Sequence, residues 1–364
     1  MMFTLLCLSL YLSVHHCTLT IPCKKHIHSK YRHDGFGFAV AARNNVLVTG
    51  GPANNSNEGY VSINGVDIHN PNPKEISGFG YTVALSKDYV FVSSLDRNDG
   101  GSYHSIYVYS TAFPHKFVRK IQFKNESKDD VAYQMAVNDA NTIVLGVISE
   151  KGSQYSLLIF EYTGSRSMDW RRMQKINLPS DGELGMPLIR IANDLMAVEI
   201  FPRRGLNYIL LYKRTDGNWD RIQRIDLTTR DIYLPTFLSM EGGRLAISTK
   251  NLIKIYKYNE GKWKLGSQIA HRGMYDSFIT IDKDILAIVS PSKRENKVYK
   301  MKMIGGQEKW FEHAKLNMVW HSRGKGDVYY NTIDGDLVFT VFMDPKHLER
   351  LGMIWIHDIS PQGI

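Results

Sequence analysis

The feature that most constrains the fold is a unit of two β-prone stretches that recurs seven times along the chain. In each copy the two apolar stretches flank a short polar turn, and successive copies start about 40 to 55 residues apart. The copies read FAVAARNNVLVTG (38–50), YTVALSKDYVFVSS (81–94), YQMAVNDANTIVLGV (133–147), PLIRIANDLMAVEI (187–200), TFLSMEGGRLAIST (236–249), SFITIDKDILAIVS (277–290) and YYNTIDGDLVFTVF (329–342). Turn pairs such as Asn44-Asn45, Gly242-Gly243 and Asp334-Gly335 tolerate the positive φ of tight turns, so we predict a β-hairpin in each copy.

A third and a fourth strand are predicted after each hairpin. The third is a short β-branched and aromatic stretch: YVSING (60–65), SIYVYS (105–110), LLIFEY (157–162), YILLYK (208–213), LIKIYKY (252–258), KVYKMKM (297–303) and MIWIHDI (353–359). The fourth usually starts at a tryptophan and alternates as a half-exposed strand does: KFVRKIQF (116–123), DWRRMQKINL (169–178), NWDRIQRIDL (218–227), KWKLGSQI (262–269) and KWFEHAKLN (309–317). Seven such repeats predict an all-β fold, a seven-bladed β-propeller of four-stranded antiparallel blades.

The last repeat has no fourth strand after residue 359, so another part of the chain must close the ring. Residues 21–34 precede the first hairpin and alternate in character at His26-Ile27-His28. We predict that they supply the outer strand of the last blade, and the alternative is a loose tail. Stacking the blades around a ring lets each sheet cover the next.

The first residues differ from the rest of the chain. Met1 to Val14 form an apolar stretch without an acid or a base, and its length falls short of the roughly 20 residues of a membrane span. This is typical of a secretory signal peptide, which we assign to residues 1–20, with Thr18 and Thr20 at the small-residue positions before the cut. The propeller would then occupy residues 21–364 of a secreted, extracellular protein without a transmembrane span. The alternative is a buried N-terminal strand or helix.

The cysteines predict no internal disulfide framework, since the chain has three, Cys7, Cys17 and Cys23. A cut after Thr20 leaves Cys23 alone, which predicts either an intermolecular disulfide in a homodimer or a free thiol. An earlier cut would allow a Cys17–Cys23 loop instead. Two sequons, at Asn54 and Asn125, lie in polar stretches and predict N-glycans if the source is eukaryotic.

The first two repeats share a signature, Phe-Gly-aromatic-x-Val-Ala, at residues 36–41 and 79–84. With the apolar strand and the glycine that follow, residues 35–63 and 78–109 resemble the FG-GAP repeat. The outer strands DWRRMQKINL and NWDRIQRIDL are similar to those of bacterial-type members of that family. The resemblance covers most of residues 35–359, although repeats three to seven lack the Phe-Gly pair. It implies a seven-bladed propeller like the head of integrin α chains, and a secreted or cell-surface protein that binds other proteins, as in cell adhesion.

Many FG-GAP proteins bind Ca²⁺ in loops of the form Asp-x-Asp-x-Asp-Gly, where alternate oxygen ligands face one ion. The nearest match here is Asp96-Arg97-Asn98-Asp99-Gly100, which is one residue short. Asp96, Asn98 and Asp99 are therefore the candidate Ca²⁺ ligands, and the alternative is a solvated turn. We expect no other cofactor.

The charge of the chain favours an anionic partner. Lys and Arg number 45 and Asp and Glu 36, which gives a formal net charge of +9. For an exported protein, nucleic acid is not the expected partner, whereas a protein receptor, a sulfated or acidic glycan or an anionic lipid is. The alternative is that the positive charge serves only solubility. The predicted loops between the second and third strands are the longest, and we expect them to line one rim. They include TGGPANNSNEG, SSLDRNDGGSYH, EIFPRRGLN and SPSKREN. Arg203, Arg204, Lys293 and Arg294 lie in these loops and are the predicted binding residues.

No nucleophile elbow, zinc-protease motif, phosphate loop or dinucleotide fingerprint occurs in the chain. We therefore expect a binding protein without catalysis. Two alternatives remain: a glycan-active hydrolase or lyase with its site at the mouth of the propeller channel, and a structural coat or envelope protein. A cluster of carboxylates at the channel mouth would favour the enzyme, and a smooth, basic mouth would disfavour it.

Overall fold

The structure is a computed structural model that describes sixteen segments of the chain. They are residues 19–28, 35–52, 59–71, 78–98, 101–123, 131–148, 154–164, 169–179, 187–202, 205–227, 237–249, 251–271, 277–290, 295–317, 327–343 and 353–360.

The described residues form 29 strands. The first fourteen are β1 (Leu19–Ile21), β2 (Lys25–His28), β3 (Ala39–Arg43), β4 (Val46–Gly51), β5 (Tyr60–Ile63), β6 (Val66–His69), β7 (Val83–Leu85), β8 (Tyr89–Asn98), β9 (Gly101–Ser110), β10 (Phe117–Phe123), β11 (Val131–Val137), β12 (Ile143–Ile148), β13 (Tyr155–Tyr162) and β14 (Trp170–Asn177). The others are β15 (Leu188–Ala192), β16 (Leu195–Ile200), β17 (Tyr208–Thr215), β18 (Asn218–Asp226), β19 (Leu238–Glu241), β20 (Arg244–Ser248), β21 (Leu252–Asn259), β22 (Lys262–Ala270), β23 (Phe278–Asp282), β24 (Ile285–Ser290), β25 (Glu295–Ile304), β26 (Gln307–Leu316), β27 (Asp327–Asp334), β28 (Leu337–Met343) and β29 (Met353–Asp358).

The strands are arranged as a seven-bladed β-propeller. Blades one to six each contain four consecutive strands, from β3–β6 to β23–β26, paired antiparallel in chain order. The first strands of neighbouring blades contact one another around the whole ring, from β3 to β7 and onward to β27 and back to β3. The fold predicted from the seven hairpins is therefore confirmed.

The N-terminal segment closes the ring. Blade seven has the order β2-β29-β28-β27, so Lys25–His28 forms its outer strand, in the position predicted for residues 21–34. His26 lies opposite Trp355 in this antiparallel pairing. The Lys24 ammonium adds an ion pair with Asp358 at 2.6 Å. The first and last strands of the ring are thus held in one sheet.

A fifth strand on blade six was not expected from the sequence. β1 pairs parallel with the outer strand β26, with Leu19 opposite Ala314 and Ile21 opposite Leu316. The Ile21 side chain is 2% exposed and packs in a hydrophobic cluster between blades six and seven. A cut after Thr20 would keep only Ile21 of this strand, and signal-peptide cleavage there stays a prediction.

The two Phe-Gly pairs lie where blades approach one another most closely. Phe79 is fully buried, forms an isolated parallel bridge with Gly59 of blade one, and meets Tyr107 edge to face at 5.3 Å. Gly80 has φ +90°, and a Cβ there would lie 2.5 Å from the carbonyl oxygen of Tyr60. Only glycine combines this backbone conformation with so close an approach.

The same arrangement recurs in blade one. The Gly37 N–H donates to the Gly50 carbonyl at 3.0 Å, as Gly80 does to Ser93 at 3.0 Å. Gly37 has φ +89°, and a Cβ there would lie 2.6 Å from a methyl group of Val341 in blade seven. The Phe-Gly signature therefore allows a blade to pack closely against the blade before it in the ring.

Blades three to five are joined at their outer strands by glutamine side chains. The Gln174 amide accepts from the Trp219 N–H at 2.8 Å and donates to the Trp219 carbonyl at 3.2 Å. Gln223 binds the backbone of Trp263 in the same way, at 2.8 and 3.0 Å. The Trp-x-x-x-Gln spacing thus has a structural reason, since each glutamine fixes the tryptophan of the next blade.

One segment interpreted as a loop is a regular hairpin. The residues SSLDRNDGGSYH were expected to form a long connection, but β8 and β9 are each ten residues long and pair out to Asn98 and Gly101. The extended β-prone sequence on both sides of Asp99-Gly100 supports this pairing, since Asp-Gly suits a two-residue turn.

Candidate functional site

The antiparallel order of the strands separates the connections of the ring into two faces. The turns between first and second strands and between third and fourth strands lie on one face, which we call the hairpin face. The connections between second and third strands, and the crossings from blade to blade, lie on the opposite face, which we call the rim. Most connections of the hairpin face lie within the described residues, whereas many connections of the rim do not.

Seven residues end the first strands on the hairpin face and form the channel mouth. Each is the last residue that pairs with the second strand before the turn, and in blade order they are Arg43, Ser86, Asn138, Ala192, Glu241, Asp282 and Asp334. Three of the seven are carboxylates, in the consecutive blades five, six and seven. From the sequence, Asp334 is predicted only as a turn residue, and none of the seven is predicted as a site residue.

Two of these carboxylates bind the backbone of the neighbouring blade. The Asp334 carboxylate accepts from the N–H groups of Asn44 and Asn45 at 2.8 and 2.6 Å, which ties blade seven to blade one. The Asp282 carboxylate accepts from the N–H of Gly335 at 3.3 Å, which ties blade six to blade seven. Both groups therefore stabilise the ring.

Arg43 spans the mouth. Its guanidinium forms an ion pair with Asp139 in the turn of blade three, so the pair passes over blade two. Both side chains are partly exposed, at 35% and 40%. The ion pair adds the Asp139 carboxylate to the three carboxylates of the mouth. It also places the positive charge of Arg43 near these four groups.

Glu241 is the carboxyl group of the mouth with the most unusual environment. Burial raises its pKa above the ordinary value of 4.5, Asp282 and Asp139 add to that effect, and Arg43 and Lys283 oppose it. No hydrogen bond or ion pair joins the Glu241 carboxyl to any residue that the structure describes. A half-buried carboxyl with a raised pKa in a concave site is a candidate for proton donation or cation binding.

Burial also raises the pKa of Asp282 above 3.8, despite the Gly335 N–H and Lys283, which lower it. The mouth therefore carries an excess of acid, in contrast to the basic chain as a whole. A smooth, basic mouth was expected to disfavour the enzyme alternative, and the mouth is instead acidic. Within the described segments, no group of three or more His, Cys, Asp or Glu is arranged to hold a metal ion.

The predicted binding residues lie outside the described residues. Arg203 and Arg204 lie between β16 and β17 of blade four, and Lys293 and Arg294 between β24 and β25 of blade six. Blades four and six, to which these strands belong, are not adjacent in the ring. Their role in binding stays a prediction.

The other candidate residues are placed only in part. Asp96 and Asn98 lie on β8, opposite Tyr103 and Gly101, while Asp99 lies outside the described residues, as do the sequon residues Asn54 and Asn125. The Ca²⁺ site and the glycans stay predictions.

Cys23 lies where the chain passes from β1 on blade six to β2 on blade seven. Its thiol is partly buried, 3.2 Å from the Lys25 carbonyl oxygen and 3.5 Å from that of Ile356. The side chain also packs against the cluster of Val289 and Trp355. A disulfide with a second chain would have to reach this partly covered site, and such a dimer stays a prediction.

No helix within the described segments has the length and the apolar character needed to cross a membrane.

No model of a known protein family matches the chain, and no curated protein matches it. Among solved structures it is similar to a putative 6-phosphogluconolactonase from Bacteroides fragilis NCTC 9343, with 11% identity, coverage of 77% of this chain and 85% of that one, and a TM-score of 0.47. It is similar to Sqt1 from Chaetomium thermophilum, with 13% identity, coverage of 89% and 82%, and a TM-score of 0.48. The WD40 domain of SCAP from fission yeast has 8% identity, coverage of 92% and 86%, and a TM-score of 0.45. At these identities the similarity concerns the backbone fold alone.

Proposed function

We propose that the protein is a secreted β-propeller of the FG-GAP type that binds a protein receptor or a sulfated or acidic glycan through its rim, without catalysis. The observation that carries this proposal is the strand order, which assigns every second-to-third connection to one face of a closed ring. Loops held by a rigid scaffold are where binding residues concentrate.

The distribution of charge supports the rim as the binding face. On the hairpin face the channel mouth carries Glu241, Asp282 and Asp334, which repel an anionic partner. The basic pairs at 203–204 and 293–294 fall in connections of the opposite face. The acidic mouth would therefore repel an anionic ligand, and the basic pairs would attract it to the rim.

The Phe-Gly geometry supports the family assignment. In blades one and two the phenylalanine is buried and the glycine has a positive φ at a close approach between blades. The two signatures therefore serve the same purpose in both blades, as the members of a repeat family do.

The predicted glycans would leave part of the rim open. Asn54 falls in the β4–β5 connection of blade one, and Asn125 in the crossing from blade two to blade three. Both belong to the rim side of blades one to three, whereas the basic pairs belong to blades four and six. Glycosidase treatment of the exported protein would reveal the glycans as a loss of mass, and a non-reducing gel would reveal a dimer through Cys23.

Binding of the purified exported protein to cell surfaces, with and without soluble heparin and across a salt series, tests the proposal. We expect saturable binding that heparin and salt remove, because phosphate- or sulfate-rich partners are bound largely by charge. Saturable binding that neither removes would indicate a protein receptor recognised by shape. Absence of binding would contradict the proposal.

A second candidate function, a glycan-active hydrolase, is favoured by Glu241. A carboxyl with a raised pKa suits a general acid, and Asp282 and Asp139 are close enough to influence it. A glycosidase needs two carboxyls in complementary roles, yet Asp282 and Asp334 bind backbone N–H groups and Asp139 is paired with Arg43. Release of reducing sugar from a panel of acidic polysaccharides by the wild type, and its loss in Glu241→Gln, would establish the hydrolase and displace the binding proposal.

A further inference from the structure

The β25–β26 hairpin of blade six ends in an exposed apolar tip. The side chains of Met303, Ile304 and Phe311 are 58%, 46% and 40% exposed. Gly305 and Gly306 form the turn, and a Cβ built on either would meet no atom within 4 Å. We call Lys302, Met303, Ile304, Lys309 and Phe311 the blade-six tip.

Blades four and five have no such apolar group at the corresponding positions, whereas the β9–β10 connection of blade two exposes Phe113 and Phe117. The residue that follows the tryptophan of the outer strand is Arg171 in blade three, Asp220 in blade four and Lys264 in blade five, but Phe311 in blade six. The residue before the turn is Thr215 in blade four and Asn259 in blade five, but Ile304 in blade six. Ile304 and Phe311 lie on the face of the hairpin that carries Lys302 and Lys309, and Met303 lies on the other face next to the turn. Exposed apolar residues close together at one turn are typical of an interaction site.

Two lysines stand directly opposite each other beside this apolar group. Lys302 pairs in register with Lys309, and Lys300 pairs with Phe311 on the same face of the hairpin. Like charges in directly opposed positions destabilise a hairpin. An anion bound by both lysines would offset this repulsion.

Counted from the tryptophan of the outer strand, the positions of Lys302 and Lys309 carry no pair of like charges in blades four and five. They hold Thr215 opposite Asn218 in blade four and Asn259 opposite Lys262 in blade five. Two positions further from the turn, blade five has Lys257 opposite Lys264, and these bind Glu308 at 3.1 Å and Glu260 at 3.3 Å. Lys302 and Lys309 form no ion pair with any residue of the described segments.

The nearby carboxylates are already occupied. Glu308 is largely buried and binds both Arg244, at 2.6 Å, and Lys257. Glu312 binds Lys297 at 3.2 Å. The tip consequently presents positive charge and apolar surface together, because the carboxylates of Glu308 and Glu312 are paired with other residues.

We propose that the blade-six tip docks on an anionic lipid bilayer, with Met303, Ile304 and Phe311 entering the interface and Lys302 and Lys309 binding lipid headgroups. Apolar side chains flanked by lysines are the combination that binds at the surface of anionic membranes. A sulfated glycan would engage the lysines but would leave three exposed apolar side chains without a role.

The orientation that follows is compatible with binding at the rim. The β25–β26 turn joins a third and a fourth strand, so it lies on the hairpin face, opposite the rim. A propeller attached by this tip would present the rim away from the membrane. The proposal is independent of any ligand of the rim.

Sedimentation with phosphatidylcholine vesicles, with and without phosphatidylserine, tests this proposal. We expect binding only to the vesicles with phosphatidylserine. The pair Lys302→Gln and Lys309→Gln should weaken it about 30-fold, since each lysine near a charged surface contributes about fivefold. Met303→Ser with Ile304→Ser should weaken it at least about tenfold, because less apolar area enters the interface. The matched control is Lys262→Gln with Lys264→Gln on the blade-five hairpin, which should bind as the wild type does.

Three results would overturn the proposal. They are absence of binding to the anionic vesicles, equal weakening by the blade-five control, and full binding by both tip variants. Binding of the wild type to heparin but not to vesicles, lost in the lysine variant, would assign the tip to an anionic glycan instead. All substitutions are at exposed positions, and circular dichroism spectra that match the wild type would verify folding.

Discussion

Gln174 of blade three satisfies both backbone polar groups of Trp219 in blade four, accepting from its N–H at 2.8 Å and donating to its carbonyl at 3.2 Å. Gln174→Ala should therefore lower the free energy of unfolding by about 1 to 3 kcal/mol, because two backbone groups lose their partner. Denaturant titration measures this, and Gln268→Ala, at an exposed position of blade five, should cost less than about 0.5 kcal/mol. Equal effects of the two substitutions would contradict the role of Gln174.

The Phe-Gly signature predicts a difference between two glycines with the same φ. Gly80→Ala should cost at least about 3 kcal/mol, since the added Cβ would lie 2.5 Å from the Tyr60 carbonyl oxygen and the backbone must shift. Gly65 has φ +88° in open space, so Gly65→Ala should cost only the conformational strain, about 1 to 2 kcal/mol. If the two variants unfold at the same denaturant concentration, the close approach of blades one and two is not what selects glycine.

The raised pKa of Glu241 predicts a stability that falls as pH rises. The folded protein favours the protonated carboxyl, so its ionisation destabilises the fold increasingly as pH rises from the ordinary value of 4.5 through the higher folded pKa. Glu241→Gln should therefore have a higher Tm than the wild type at pH 7 and the same Tm at pH 3. Asp284→Asn, at an exposed position in the turn of blade six, should not produce this pattern. A lower Tm of Glu241→Gln at pH 7 would be evidence that the charged form stabilises the mouth.

The contact that closes the ring has the opposite dependence on pH. Hydrogen bonds from Lys24 and Ser360 lower the pKa of Asp358 to about 2 from 3.8. Its stabilisation is therefore present above the unfolded pKa and is lost as pH falls from about 4 towards 2. Because Lys24 is mostly exposed, Asp358→Asn should cost no more than about 1 kcal/mol at pH 7. Urea titrations at pH 7 and near pH 2 check this, and a cost that persists near pH 2 would argue against the ion pair.

The sequence predicts the fold well because the propeller depends on local patterns. Each hairpin has its turn residues between two apolar stretches, and each predicted tryptophan lies in its outer strand. Trp170 is the first residue of β14 and Trp219 and Trp263 are the second of β18 and β22, but β26 begins three residues before Trp310. Closure by residues 25–28 followed from counting strands. β1 could not be predicted, because a three-residue parallel strand on an edge has no pattern of its own and lies beside a stretch typical of a signal peptide.

The channel mouth could not be predicted for a different reason. Arg43, Asp139 and Glu241 are far apart in the chain and meet only because seven turns converge at the axis of a closed ring. The cross-strand register of Lys302 and Lys309 likewise depends on the Gly305-Gly306 turn, which fixes the pairing. In the sequence these residues are ordinary charged positions next to turns.

We propose that the rim, and not the channel mouth on the hairpin face, recognises an anionic protein or glycan. The most direct measurement is the affinity of the exported protein for heparin, by surface plasmon resonance at several salt concentrations, with Arg203, Arg204, Lys293 and Arg294 all changed to Gln. We expect this variant to bind heparin at least about 100-fold more weakly and with a shallower salt dependence, because the four cations each contribute to the attraction. The variant with Lys302→Gln and Lys309→Gln should bind heparin like the wild type. An unchanged affinity of the fourfold rim variant for heparin would contradict binding of an anionic partner at the rim.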